Sequence, residues 1–298
     1  MSSPQRNIYT GISLALLAVF IWSGNFIAAR GVIKQLPPIS LAFYRWITAS
    51  ILLLPIAIRS FIKDWPVIKS HLPYLFWTAL TGITLFNTFV YIGAHYTTAI
   101  NLSLIGTTSS PIIAIILARI FLKEQISTWK IAGMILCISG VLYLLAKGNW
   151  VNLIHLRFTR GDGWVLLAAA AFAAYNTLVR KKPGNLSALG FLCSIFWIGT
   201  LVLFPFYLWE MDNTPAVNWD LNLVLIILFL GVGASVISYL SWNKAVGQLG
   251  AGRTALFGNL IPVFSSIEAA LILNEDFMKV HVVSMVLVFA GIVIANRK

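Results

Sequence analysis

The chain has 298 residues, 59% of them hydrophobic and 10% charged, with a formal net charge of +12. Soluble domains carry about 25% charged residues, and the mean hydropathy here is +0.88, which excludes an ordinary soluble globular domain. The positive charge calls for no nucleic-acid partner, because basic loops beside anionic membrane lipids account for it.

In chain order, the apolar stretches predict ten membrane-spanning helices, over 8–30, 39–60, 72–92, 96–121, 128–147, 162–181, 187–209, 219–242, 252–274 and 278–296. About 20 apolar residues suffice to cross roughly 30 Å of hydrocarbon as a helix. The alternation that a membrane barrel strand needs is absent. The first span is too long for a leader and lacks a convincing small-residue cleavage site, so it reads as a retained helix. Residues 148–161 form a linker between two halves, 8–147 and 162–296.

The two halves repeat. At a shift of 151, Pro111 meets Pro262, Glu124 meets Glu275, Gly140 meets Gly291 and Tyr91 meets Trp242. At 150, Pro55 meets Pro205, and at 152, Phe20 meets Phe172. Five spans per half is an odd number, so the second half enters the membrane from the opposite side. The expected fold is an all-α integral membrane protein, with ten transmembrane helices arranged as two inverted five-helix repeats around a central cavity. That pattern predicts an alternating-access transporter. With a cytoplasmic N-terminus, Lys and Arg number 13 in inside loops, 6 in outside loops and 2 within spans. The positive-inside rule then places both termini in the cytoplasm, in a multi-pass protein of the cytoplasmic (inner) membrane.

Polar residues within the spans mark candidate cavity positions. Trp22 and Asn25 lie on the first span, Asn87 and Tyr91 on the third, Tyr175 and Asn176 on the sixth. Ser238, Tyr239 and Trp242 lie on the eighth, and Asn259 on the ninth. Asn87 and Tyr91 are four apart and share a helix face. Thr107, Thr108, Ser109 and Ser110 precede Pro111, and Ser265 and Ser266 follow Pro262. Asparagine has four hydrogen-bonding sites to satisfy and is costly to bury in lipid. Pro111 and Pro262 each remove a backbone hydrogen bond within a span and are candidate helix breaks or hinges. Two charges break the repeat: Arg45 aligns with Ile195, and Glu268 with Leu117. Glu268 is a candidate proton or substrate-ammonium site, with proton coupling as its consequence. Arg45 reads as a structural charge that caps carbonyls near the first helix or pairs with an acid. Glu124 and Glu275 fall at span ends on opposite faces, where each would begin the next helix.

Other chemistries lack their signatures. There is no GxxxxGK[ST] phosphate loop, no HExxH and no GxSxG, so neither an ATP-driven pump nor an enzyme is expected. Cys137 and Cys193 lie in apolar spans and read as small buried hydrophobes, not as a disulfide or a metal pair. No cofactor or metal is predicted.

The stretch from Tyr91 to Asn101, then Pro111 and Phe121-Leu-Lys-Glu124, resembles the end of an EamA repeat. Tyr239-Leu-Ser-Trp-Asn-Lys-Ala245, Pro262 and Leu273-Asn-Glu275 resemble it again, and Pro37-Pro38 with Phe43-Tyr-Arg45 is similar to the first helix junction of that repeat. Asn274 departs from the glycine usual before the glutamate, and no arginine matches Arg45 in the second copy. The resemblance, from about residue 8 to 296, is to the EamA branch of the drug/metabolite transporter superfamily. It implies a basket of ten helices, with the fifth and tenth packed at the back. It also implies a secondary transporter, an exporter of small amphipathic metabolites such as amino acids, with a small-molecule substrate and membrane lipids as partners. Transport of phosphorylated or nucleotide-linked solutes, and lipid flipping, are the alternatives.

Overall fold

The computed structural model describes residues 3–32, 35–96, 99–123, 125–154, 159–273 and 278–295. Glu124, Asn274 and Glu275 lie outside the described residues, as do the side chains of Asn101, Thr107, Thr108 and Ser266. The described residues are helical with short connections. The first half contains α1 (Ser3–Val32), α2 (Pro38–Ser70), α3 (Leu72–Ala79), α4 (Phe86–Tyr96), α5 (Ala99–Leu122), α6 (Thr128–Leu145) and a short α7 (Val151–Ile154). The second contains α8 (Arg160–Arg180), α9 (Ala188–Asp212), α10 (Leu221–Gly231), α11 (Ser238–Leu249), α12 (Ala251–Leu256), α13 (Ile261–Leu273) and α14 (Lys279–Ala295). Two π-helical turns, Leu80–Leu85 and Val232–Ile237, join α3 to α4 and α10 to α11. A 3₁₀ turn, Phe257–Leu260, joins α12 to α13.

Six of these helical stretches are long and apolar enough to cross a bilayer: Asn7–Asn25, Pro38–Ser70, Leu72–Tyr96, Arg160–Arg180, Ala188–Asp212 and Leu221–Leu249. Ser109–Leu122, Thr128–Leu144 and Lys279–Ala295 are shorter apolar helices. Many large apolar side chains, among them Ile56, Leu201, Phe206, Leu225 and Val286, point outward and are exposed. A soluble monomer rarely exposes so many large apolar side chains, and a protein solvated by lipid requires them.

Local chemistry sets the helix starts. Pro38 opens α2, where its missing N–H is no loss. The Ser127, Ser187 and Asp220 side chains cap α6, α9 and α10 by accepting from the amides of Lys130, Gly190 and Leu223. The Asp162 carboxylate reaches back to the Thr159 amide at the start of α8.

Helices α2 and α9 pack antiparallel along their length. At one end Glu210, from the last turn of α9, accepts from the amides of Ile39 and Ser40 at 3.1 and 2.6 Å, and from the Ser40 hydroxyl at 2.8 Å. At the other end Asp64 of α2 accepts from the amide of Ser187, the cap of α9, at 2.9 Å. Each helix therefore lends an acid to the positive end of the other. Between these caps Phe43 stacks on Tyr207 at 4.2 Å, and the Ser50 and Thr200 hydroxyls meet at 3.2 Å. Ser50 and Thr200 are 150 residues apart, so a position touches its own counterpart in the other half.

Helices α6 and α14 pair in the same way. Cys137 Sγ donates to the Val288 carbonyl at 3.4 Å, and Ser284 Oγ to the Gly140 carbonyl at 2.7 Å. A Cβ on Gly291 would stand 2.6 Å from both Cys137 Sγ and the Gly133 carbonyl oxygen, so only glycine permits this crossing. Cys137 and Cys193 are buried free thiols.

Candidate functional site

Helices from both halves line a central cavity. Trp22 and Asn25 of α1, Arg45 of α2 and Phe86, Asn87 and Val90 of α4 line it from the first half, with Ser110 and Pro111 of α5. Val165, Ala168, Ala169 and Phe172 of α8, and Trp242 of α11, line it from the second. Ala168 and Ala169 sit where α8 faces the cavity, and their short side chains leave room there that larger ones would fill.

One wall is aromatic. Trp22 lies 5.6 Å from Phe172 and 5.0 Å from Trp242, and Phe86 stacks on Phe172 at 4.5 Å. One turn further along α8 the space is closed by packed rings. Tyr175 and Tyr239 are fully buried there, 5.5 Å apart. Tyr175 donates to Asn243 Oδ1 at 2.6 Å, and Trp242 Nε1 to Asn176 Oδ1 at 2.6 Å. Tyr239 donates to the Gly82 carbonyl at 2.7 Å. Gly82 lies in the first π turn, and a side chain there would overlap the Tyr175 ring. The second π turn presents the carbonyl of Ala234, which accepts from Trp22 Nε1 at 2.8 Å and from Arg45 Nη2 at 2.9 Å. Gly82 and Ala234 are each the third residue of their π turn, so both turns offer a carbonyl at the same place. Wide turns of this kind expose backbone acceptors and recur at functional sites.

Arg45 holds the polar end. It is only 1% exposed. Its Nε donates to Ser235 Oγ at 2.8 Å. Its Nη1 donates to Asn25 Oδ1 at 3.1 Å, Asn87 Oδ1 at 2.9 Å and Tyr91 Oη at 3.0 Å. All its hydrogen-bond partners among the described residues are neutral. The expected acid partner is not among them, and the carbonyl contact is made with the second π turn rather than with α1. Arg45 thus knits α1, α2, α4 and the second π turn together, and it also borders the cavity.

The structure sorts the sequence candidates. Trp22, Asn25, Asn87, Trp242 and Pro111 line the cavity with Arg45. Tyr91 steadies Arg45, while Tyr175, Asn176 and Tyr239 form the sealed region behind. Ser238 spends its hydroxyl on the Gly233 carbonyl of the preceding π turn. Asn259 is fully buried, donating to the Leu256 carbonyl, with no partner for its Oδ1 among the described residues. Glu268 faces the other side of α1: Oε1 accepts from Ser23 Oγ at 2.7 Å, and Oε2 has no partner among the described residues. It does not line the cavity. The two prolines differ. α5 runs unbroken through Pro111, whereas Pro262 follows the 3₁₀ turn as the second residue of α13. A proline at a helix start gives up no internal hydrogen bond. Phe86 and Phe172 were missed as lining residues. Their nearness to Asn87 and to the polar run at Tyr175–Thr177 was the available signal. Among the described residues no group of three or more His, Cys, Asp or Glu could hold a metal ion.

The EamA-like transporter family model matches residues 9–146 and again 159–297. The chain belongs to that family and is a multi-pass membrane protein of the EamA transporter type. A transporter of Archaeoglobus fulgidus, described as uncharacterized, is 29% identical over 96% of each chain. A probable amino-acid metabolite efflux pump of Escherichia coli is 24% identical, covering 94% of this chain and 93% of that one. A probable terminal-alkyne amino-acid exporter of Streptantibioticus cattleyicolor is 26% identical, covering 95% and 92%. A solved crystal structure superposes with a TM-score of 0.77 over 98% of this chain and 96% of that chain, at 14% identity, a likeness of fold alone.

Proposed function

We propose that the chain is a secondary transporter that moves small amphipathic metabolites, amino acids or related compounds, outward across the cytoplasmic membrane by alternating access. The observation that carries this reading is the cavity, built from both halves with one polar end and one aromatic wall. That combination suits a solute with a polar head and an apolar body. The efflux relatives support the substrate class. In this reading ten spans form two inverted five-helix repeats, with both termini cytoplasmic. Support comes from the antiparallel pairs α2–α9 and α6–α14, in which Ser50 meets Thr200 and Cys137 meets Val288, each near its own counterpart. A two-fold axis lying in the membrane plane produces such contacts. Glu268, which lies off the cavity against Ser23, is the proposed proton-coupling site.

Counterflow tests the proposal. Proteoliposomes loaded with unlabelled amino acids should accumulate labelled ones without any ion gradient. No protein-dependent accumulation across the amino-acid panel removes that substrate class.

A further inference from the structure

We infer that Arg45 anchors a single substrate carboxylate, and that the cavity reads a carboxylate with an apolar tail while leaving any α-amino group unread. The inference rests on the proposed role of the cavity as the transport site. An intramembrane charge without a counter-charge is costly, on the order of 2.5–3.5 kcal/mol on the mildest scale. Arg45 is such a charge, since its hydrogen-bond partners among the described residues are all neutral. A guanidinium has five N–H donors, two of them on Nη2. Nη2 spends one on the Ala234 carbonyl and, among the described residues, keeps the other. Asn87 is 3% exposed and borders the cavity, and its Nδ2, near the Tyr239 hydroxyl, makes no hydrogen bond of normal geometry among the described residues. Asn87 Oδ1 and Asn25 Oδ1 already accept from Arg45. The unspent capacity at this end is therefore donor capacity beside an unbalanced positive charge, which matches an anion with two acceptor oxygens.

The charge count selects among anions. Arg45 is the one charged residue in the cavity's described lining. A monoanion balances it, whereas a phosphate dianion leaves a second buried charge unpaired. Trp22, Phe86, Phe172 and Trp242 offer an apolar wall for the tail. No Asp or Glu is in the described lining, and Glu268 bonds Ser23 elsewhere on α1. An ammonium group therefore meets no carboxylate here.

The test uses the tryptophans in the wall. Purified full-length protein is titrated with phenylalanine, 3-phenylpropanoate, phenylalanine methyl ester and phenethyl phosphate, following tryptophan fluorescence excited at about 295 nm. The two carboxylates should bind within about threefold of each other, and the ester and the phosphate more than tenfold more weakly. Equal binding of the ester, tighter binding of the phosphate, failure of phenylpropanoate where phenylalanine binds, or no response to any probe overturns the inference. Arg45→Lys should weaken both acids together. Because replacing Arg45 also loosens four packed segments, Asn87→Asp is the second variant. It supplies the missing counter-charge from within, so it should preserve or raise the melting temperature and abolish binding of both acids. Retained binding in Asn87→Asp argues against the carboxylate anchor. Counterflow with the same probes separates the two readings. Ester and acid exchanging equally leaves the carrier standing without the anchor, and acids that bind without exchanging leave the anchor without the carrier.

Discussion

Gly82 shows how one residue joins the sealed region to the backbone. Its missing side chain lets the Tyr175 ring lie on the π turn, and its carbonyl holds Tyr239. Gly82→Ala should destabilise the protein by about 1–3 kcal/mol through overpacking, read as a lower melting temperature in detergent. Glu268 sits against Ser23 with one oxygen unpartnered among the described residues. If it carries a proton during transport, Glu268→Gln should flatten the pH dependence of export while the protein still folds. Normal transport with an unchanged pH profile removes the carboxylate from coupling. Residues such as Asn25 and Asn87 were legible in the sequence because a polar amide in an apolar span demands a reason. Phe86 and Phe172 were not, because an aromatic ring in an apolar span looks the same whether it faces lipid, core or cavity. Glu268 was legible as a charge at depth. Its direction around the helix was not, since depth along an axis carries no azimuth.

At the scale of elements, the apolar runs gave the helical stretches to within a few residues at most ends. The exceptions were informative. α2 continues to Ser70, ten residues beyond the expected end at 60, through Pro55 and Pro66. The eighth expected span continues to Leu249. The π turns left no mark in the composition, because a wide turn arises from how neighbouring rings and carbonyls fit together and not from a propensity. The repeat predicted Pro111 and Pro262 to be alike, yet only Pro111 stands inside a continuous helix. Proline there removes one backbone hydrogen bond beside the cavity. Pro111→Ala should therefore slow counterflow more than it lowers folded yield. Equal losses in both measurements point to a static packing role.

At the scale of the whole molecule, charge in the loops and repetition along the chain supplied the expected arrangement. Single cysteines placed at Ser70 and Asn149, in a background lacking Cys137 and Cys193, test the orientation. A membrane-impermeant thiol reagent applied to intact cells should label position 149 and spare position 70. The reverse pattern overturns the cytoplasmic placement of the termini. The antiparallel α2–α9 pair was hidden from the sequence, because Asp64 and Glu210 look like ordinary acids near helix ends. Only the packing shows that each lies at the start of the other helix.

That mutual gripping has a consequence for how the chain can change length. From Ser40 to Asp64 is 24 steps, and from Ser187 to Glu210 is 23, so the two arms match within about 1.5 Å at the helical rise. One residue added between the clasped ends lengthens an arm and turns its tip by about 100°, which swings the acid off its amides. Such a pair tolerates exchange of one side chain for another far better than insertion or deletion. An alanine inserted after Ser50 should abolish folded yield, while one inserted after Asn149, between the halves, should be accepted. The clasp works as a ruler, holding the two helices to one common length.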